Sequence, residues 1–105
     1  MPVSSIDCQG ALALQAQGGL ILDVREGWEL QIAAVSGARH IPMGQIHASL
    51  DALPKGTAIA CLCHHGARSM NVAQFLSQQG FESVYNITGG IAAWARDVDP
   101  ALATY

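Results

Sequence analysis

Apolar positions fall along the chain in short blocks separated by polar or glycine-bearing breaks. Leu20-Ile21-Leu22-Asp23-Val24 and Thr57 to Leu62 are runs too short for a helix, and near-continuous aliphatic runs suit strands buried on both faces of a parallel sheet. Ser83 to Ile87 predicts a further strand, Ala38 to Ile41 a short one before Pro42, and Pro2 to Ser5 a minor first strand. Helical stretches lie between them. Asp7 is placed to cap a helix through Gln17, which Gly18-Gly19 stops. Residues 28–32 predict a short helix ended by Ser36-Gly37, and Gln45 to Ala52 another helical turn or two before the Pro54-Lys55-Gly56 turn. Val72, Ala73, Phe75 and Leu76 recur at helical spacing, which predicts a helix over Met70 to Gln79 with Asn71, Gln74, Ser77 and Gln78 facing water. Gly80 fits the end of that helix, and Phe81 is placed to pack back on its last turn. A last short helix is predicted over Ile91 to Arg96, and the tail after Pro100 is expected to fray.

Short strands alternating with short helices imply an α/β domain, with a parallel sheet, right-handed crossovers and helices on both faces. Ligands of such sheets bind at the carboxyl ends of strands. At 105 residues the whole chain, 1–105, is expected to form one domain. Half of its residues are hydrophobic and only 12% are charged, a composition that argues for a packed core and against disorder. The net charge is −3 with five Lys and Arg and no basic cluster, which argues against nucleic acid as partner. No apolar run approaches the length that crosses a bilayer, and the first nine residues lack a basic segment leading into an apolar one. Three cysteines without regular spacing do not form a disulfide framework, so a reducing compartment is expected. The expectation is a soluble, cytoplasmic protein without a membrane partner.

Candidate chemistry concentrates in Ile59-Ala60-Cys61-Leu62-Cys63-His64-His65-Gly66-Ala67-Arg68-Ser69. Here a strand runs into a polar turn with a thiol at the junction, followed by a helix N-terminus. Backbone N–H groups and the helix dipole converge at such a place and stabilise negative charge. The thiolate is the nucleophilic form of cysteine, and Cys63 is expected to be biased toward it. Two residues back along the strand, Cys61 reads as packing, with a relay thiol as its second reading. Cys8, near the first helix, reads as structural. Cysteine and histidine together also suit zinc or copper, but the Cys61 to His65 spacing is not that of a zinc knuckle and no second ligand pair follows; His40 and His47 stand alone. No metal or organic cofactor is expected.

Four segments together carry a resemblance: Leu22-Asp23-Val24-Arg25-Glu26, Gly37-Ala38-Arg39-His40-Ile41-Pro42, the Cys63 to Ser69 turn, and Gly89-Gly90-Ile91-Ala92-Ala93-Trp94. In this order and at these separations they resemble the single-domain rhodaneses, the sulfurtransferase-like domains, over almost the whole chain. The resemblance implies a three-layer α/β/α rhodanese-like fold with a five-stranded parallel sheet. It also implies a catalytic cysteine, by position Cys63, that accepts a sulfane sulfur and carries it as a persulfide. The family's active-site loop maps onto His64, His65, Gly66, Ala67 and Arg68, with Ser69 opening the helix, as the substrate-binding residues. One departure is Ala33-Ala34-Val35, where many members have Gly-His-Ile.

In the reaction so implied, Cys63 takes the outer sulfur of a small anionic donor such as thiosulfate and releases sulfite. A thiol, cyanide or a protein acceptor then removes the sulfur, and two half-reactions on one residue predict ping-pong kinetics. Cysteine phosphatases use a similar turn one residue longer, and the four residues between Cys63 and Arg68 make a ring that fits sulfur better than a tetrahedral phosphate. A second reading is a protein-to-protein sulfur carrier or regulatory module with only incidental thiosulfate activity. A third, a catalytically dead binding domain, is opposed by the intact Cys63. Arg68 has two readings, facing the anion or turning inward to pair with an acidic residue such as Asp23 or Glu26. His64 and His65 either steer an anion when protonated or are solvated loop residues. Trp28 and Trp94 read as core or semi-buried packing.

Overall fold

A computed structural model describes residues 3–105. Among them, five strands pair in parallel throughout: β1 (Ser4–Ile6), β2 (Leu20–Asp23), β3 (Arg39–His40), β4 (Ile59–Leu62) and β5 (Val84–Ile87), in the order β1-β5-β4-β2-β3. The most apolar run is therefore the central strand. β4 has Cys61 in register with Leu22 on one side and Asn86 on the other.

Side chains alternate across β4 and build two cores. Ile59, Cys61 and Cys63 pack with Leu22, Val24, Val72, Ala73, Leu76 and Phe81, whereas Ala60 and Leu62 pack with Ala11, Ile21, Ile87, Ile91 and Trp94. Helix α3 (Ala67–Gln78) and two 3-10 turns, Met43–Gln45 and His47–Ala52, thus cover one face, while α1 (Cys8–Ala16) and α4 (Gly90–Asp97) cover the other. A short helix, α2 (Gly27–Ile32), follows β2. Full burial of a side chain such as Ile59 or Leu62 contributes about 1.5–3 kcal/mol, so the alternation in β4 alone anchors both layers. Asp7 caps α1, its Oδ1 accepting from the Gly10 N–H at 2.7 Å. No helix among the described residues is long and apolar enough to cross a membrane.

Five features differ from the sequence expectation. The first strand is Ser4–Ile6 rather than Pro2 to Ser5, and Pro2 lies outside the described residues. Helix α3 starts at Ala67 rather than Met70, which puts Arg68 and Ser69 in its first turn. Ser77 is buried rather than facing water, on the side of α3 that also buries Val72, Ala73 and Leu76. Trp28 is 62% exposed rather than packed, because α2 is short and turns Glu29 inward instead. The tail does not fray: Leu102 packs against the α1/α4 core and the Tyr105 hydroxyl bonds two buried residues.

Candidate active site

The carboxyl end of β4 delivers Cys63, and the chain then turns through His64, His65 and Gly66 into α3. The turn needs Gly66, whose φ is +119°, outside the range that side chains adopt readily. That conformation lets the Gly66 N–H donate to Cys63 Sγ at 3.1 Å. A second glycine clamps the turn from the opposite layer. The N–H groups of Ile91 and Ala92 donate to the carbonyls of Cys63 and His64 at 2.8 and 3.2 Å, and a Cβ on Gly90 would lie 2.4 Å from both oxygens. The Gly89-Gly90 pair opens α4 and fixes the Cys63 carbonyl from behind.

Cys63 is only 1% exposed, nearly as enclosed as Cys61 at 0%. The two thiols nonetheless behave oppositely. Burial pushes Cys61 up to about 12 and Cys8 up to about 11, so both are held as neutral thiols. Burial pushes Cys63 up as well, but the Ser69 hydroxyl, when its proton is turned to the sulfur, and the N–H groups of Ser69, Gly66 and His65 offset it, and its pKa falls below the ordinary thiol value. What separates the reactive thiol from the packed one is thus the ring of donors. Ser69 Oγ lies 3.2 Å from Cys63 Sγ and 2.5 Å from Asn86 Oδ1, and Asn86 Nδ2 donates to the Gly66 carbonyl at 3.2 Å.

Arg68 turns inward, to a partner other than Asp23 or Glu26. Its Nη1 and Nη2 form a two-pronged pair with Glu29 at 2.7 and 2.8 Å. Glu29 is 2% exposed and also accepts from the Glu26 N–H at 2.8 Å and the Tyr105 hydroxyl at 2.7 Å. The Arg68 guanidinium, in spite of burial, holds the Glu29 carboxyl down at about 2. Asp23 is taken by Arg25, whose Nε and Nη2 reach its carboxylate at 3.0 and 2.7 Å and whose Nη2 also bonds the Ala33 carbonyl at 2.8 Å. Tyr105 links the two pairs, because its hydroxyl accepts from Arg25 Nη1 at 2.9 Å while donating to Glu29.

His64 and His65 stack with ring centres 4.0 Å apart, and His64 stacks on Tyr105 at 3.9 Å and 11°. His65 and Ala67 are exposed and His64 is half-buried. Burial, then the neighbouring His65, lowers the His64 pKa and favours the neutral ring. Trp28 meets Tyr105 edge-on at 6.0 Å, so Trp28, Tyr105, His64 and His65 form a continuous aromatic rim.

The structure brings Cys63, Gly66 and Ser69 together and ties Arg68 to Glu29. Sequence reasoning missed Asn86, Glu29 and Tyr105. Asn86 had a signal, as a polar residue inside an otherwise apolar strand. Glu29 had a weaker one, a carboxylate three residues after Glu26 at a helix start. Nothing local distinguishes Tyr105. A cavity of about 540 Å³ lies elsewhere, among residues such as Gly18, Gly19, Thr57 and Tyr85.

With this geometry in place, comparison with known proteins defines the class. The rhodanese-like domain family model matches residues 8–97, and the chain belongs to that family. It is 30% identical over 105 residues to the thiosulfate sulfurtransferase GlpE of Haemophilus influenzae, covering 100% of both chains. It is 38% identical over 101 residues to the Zea mays adenylyltransferase and sulfurtransferase MOCS3-1, covering 90% of this chain and 22% of that protein. The chain therefore spans about a fifth of the length of that relative. Among solved structures, a rhodanese-like domain protein from Staphylococcus aureus superposes with a TM-score of 0.82 at 27% identity, covering 98% of this chain and 99% of that one. That solved structure shares the fold of this chain, an α/β architecture that here is built on a five-stranded parallel sheet.

Proposed function

We propose that the protein is a sulfurtransferase in which Cys63 carries a sulfane sulfur as a persulfide. The observation that carries this reading is the Cys63 sulfur at the end of β4, 3.1 Å from the Gly66 N–H and with its pKa lowered despite burial. The Cys63 thiolate attacks the outer sulfur of a donor such as thiosulfate. The donor's S–S bond breaks and sulfite leaves with the electron pair. An acceptor, either a thiol, cyanide or a protein, then attacks the outer persulfide sulfur and restores the Cys63 thiolate, so no net oxidation occurs. His64, His65, Gly66, Ala67, Arg68 and Ser69 form the loop around the donor. Backbone N–H groups and the start of α3 would meet its charge, while Arg68, tied to Glu29, contributes indirectly by fixing the first turn of α3. The resemblance to GlpE supports a small donor.

The aromatic rim favours a second reading, a domain that receives sulfur from one protein and passes it to another. Trp28 is 62% exposed and reaches the Cys63 loop through Tyr105 and His64, a surface that a donor as small as thiosulfate does not need. Thiocyanate formation from thiosulfate and cyanide, with Cys63→Ser as control, tests the proposal. Parallel double-reciprocal lines that vanish in Cys63→Ser support the small-donor enzyme. Slow turnover with rapid exchange of labelled sulfur to a protein thiol favours the carrier, and activity surviving in Cys63→Ser contradicts both.

A further inference from the structure

The chain of hydrogen bonds that ends at the reactive sulfur begins outside the loop. Asn86 on β5 is 6% exposed and Ser69 is 0%, so bulk water does not complete their bonding. The amide is oriented by Gly66: only an NH₂ group has protons to give its carbonyl, and Asn86 Nδ2 does so at 3.2 Å. Asn86 Oδ1 therefore faces Ser69, 2.5 Å away, and an amide oxygen only accepts. The Ser69 hydroxyl must donate, and it has one proton. With that proton on Asn86, Ser69 presents lone pairs to Cys63 Sγ at 3.2 Å. This arrangement accepts the S–H of a thiol, but it meets a thiolate with the negative end of the hydroxyl dipole.

We infer that Asn86 is a positioning residue that competes with Cys63 for the single Ser69 proton. The hydroxyl serves the thiolate only by turning away from Asn86, which leaves Asn86 Oδ1 buried and without a donor, an unfavourable state for an amide oxygen. Asn86 therefore limits how much Ser69 contributes to the thiolate and leaves most of that work to backbone N–H groups such as that of Gly66. In the persulfide the negative charge sits on the outer sulfur. The inner sulfur no longer needs the hydroxyl proton, which returns to Asn86. Asn86 thus favours the sulfur-loaded state over the empty thiolate, while its amide NH₂ keeps Gly66 aimed at the same atom. This inference rests on Cys63 being the reactive thiol of the proposed sulfurtransferase.

The test is a mutant cycle read on Cys63 itself. Ser69→Ala is made in the native chain and in Asn86→Val, which suits a strand and is close to asparagine in size; Asn86→Ala runs in parallel as a second way to remove the same oxygen. The rate of Cys63 alkylation by iodoacetamide is followed against pH, with the site assigned by mass, and folding is checked by circular dichroism. In the Asn86 variants the hydroxyl proton is free to serve the thiolate, and losing it through Ser69→Ala lowers the thiolate fraction about tenfold at a given pH. In the native chain the same substitution changes that fraction by less than about threefold. An Asn86 that only props up Gly66 gives Ser69→Ala the same effect in both backgrounds, and that result overturns the inference while leaving the sulfurtransferase reading intact. A Cys63 that resists alkylation throughout overturns both.

Discussion

Replacing Glu29 by glutamine removes one charge from the middle of the site's support and changes its shape little. Glu29 accepts from both Arg68 nitrogens, the Tyr105 hydroxyl and the Glu26 N–H while only 2% exposed. A carboxyl held from the usual 4.5 down to about 2 contributes about 3 kcal/mol at neutral pH. The Arg68 side chain is 33% exposed, and water takes up part of its charge once the partner is neutral, so the expected loss is nearer 2 kcal/mol. For a domain of this size that lowers the melting temperature by about 10 °C. The pH dependence has a definite sign. Because the folded pKa lies below the unfolded one, the contribution is complete well above pH 4.5 and is lost as the pH falls from there toward about 2. Urea unfolding of the native protein and Glu29→Gln at neutral pH and in steps down to about pH 3 measures it. The stability difference should be greatest at neutral pH and shrink across the acid range. A difference below about 0.5 kcal/mol at neutral pH, or one that does not change with acidification, refutes the assignment of Glu29 as the charged anchor of Arg68.

Two further substitutions probe the support from other sides. Tyr105→Phe removes a hydroxyl bonded to Arg25 and Glu29 but keeps the ring on His64, so thermal melts should show a loss of about 1–2 kcal/mol while the pH profile of Cys63 alkylation stays in place; an unchanged melt would mean the tail contact carries no stability. Gly90→Ala drives a Cβ against the Cys63 and His64 carbonyls at a φ of +59°, and it should lower stability by about 2 kcal/mol or more and slow Cys63 alkylation at fixed pH; native alkylation would show that the α4 clamp does not set the loop.

How much of this was legible in the sequence follows from how local each cause is. The central strand announced itself because burial on both faces requires an unbroken apolar run, and Ile59 to Leu62 is one. Cys63 was placed by the same logic, since the residue after such a strand stands at the ligand-binding edge of the sheet. Gly66 and Gly90 were visible as breaks, but only the fold shows that one aims an amide at sulfur and the other makes room for two carbonyls. Arg68 was visible as a charge in need of a partner. Its actual partner is 39 residues away, where α2 turns Glu29 inward and leaves Trp28 outside. Periodicity does not carry that choice in a helix of six residues. Ser77 was misplaced because helical spacing ranks faces by apolarity, and a serine on the buried side of α3 does not register. Asn86 stood out only as a polar residue in an apolar strand and Tyr105 not at all, and the roles of both follow from contacts between distant segments.

The central claim is that the donor ring around Cys63 makes it the residue that carries sulfur, while Cys61 and Cys8 remain neutral packed thiols. Intact-mass measurement after incubation with thiosulfate or a low-molecular-weight persulfide, followed by peptide mapping, tests it most directly. The account predicts a gain of one sulfur atom, located on Cys63, abolished in Cys63→Ser and discharged by cyanide. No added sulfur from any donor, or sulfur found on Cys61 or Cys8 instead, contradicts it.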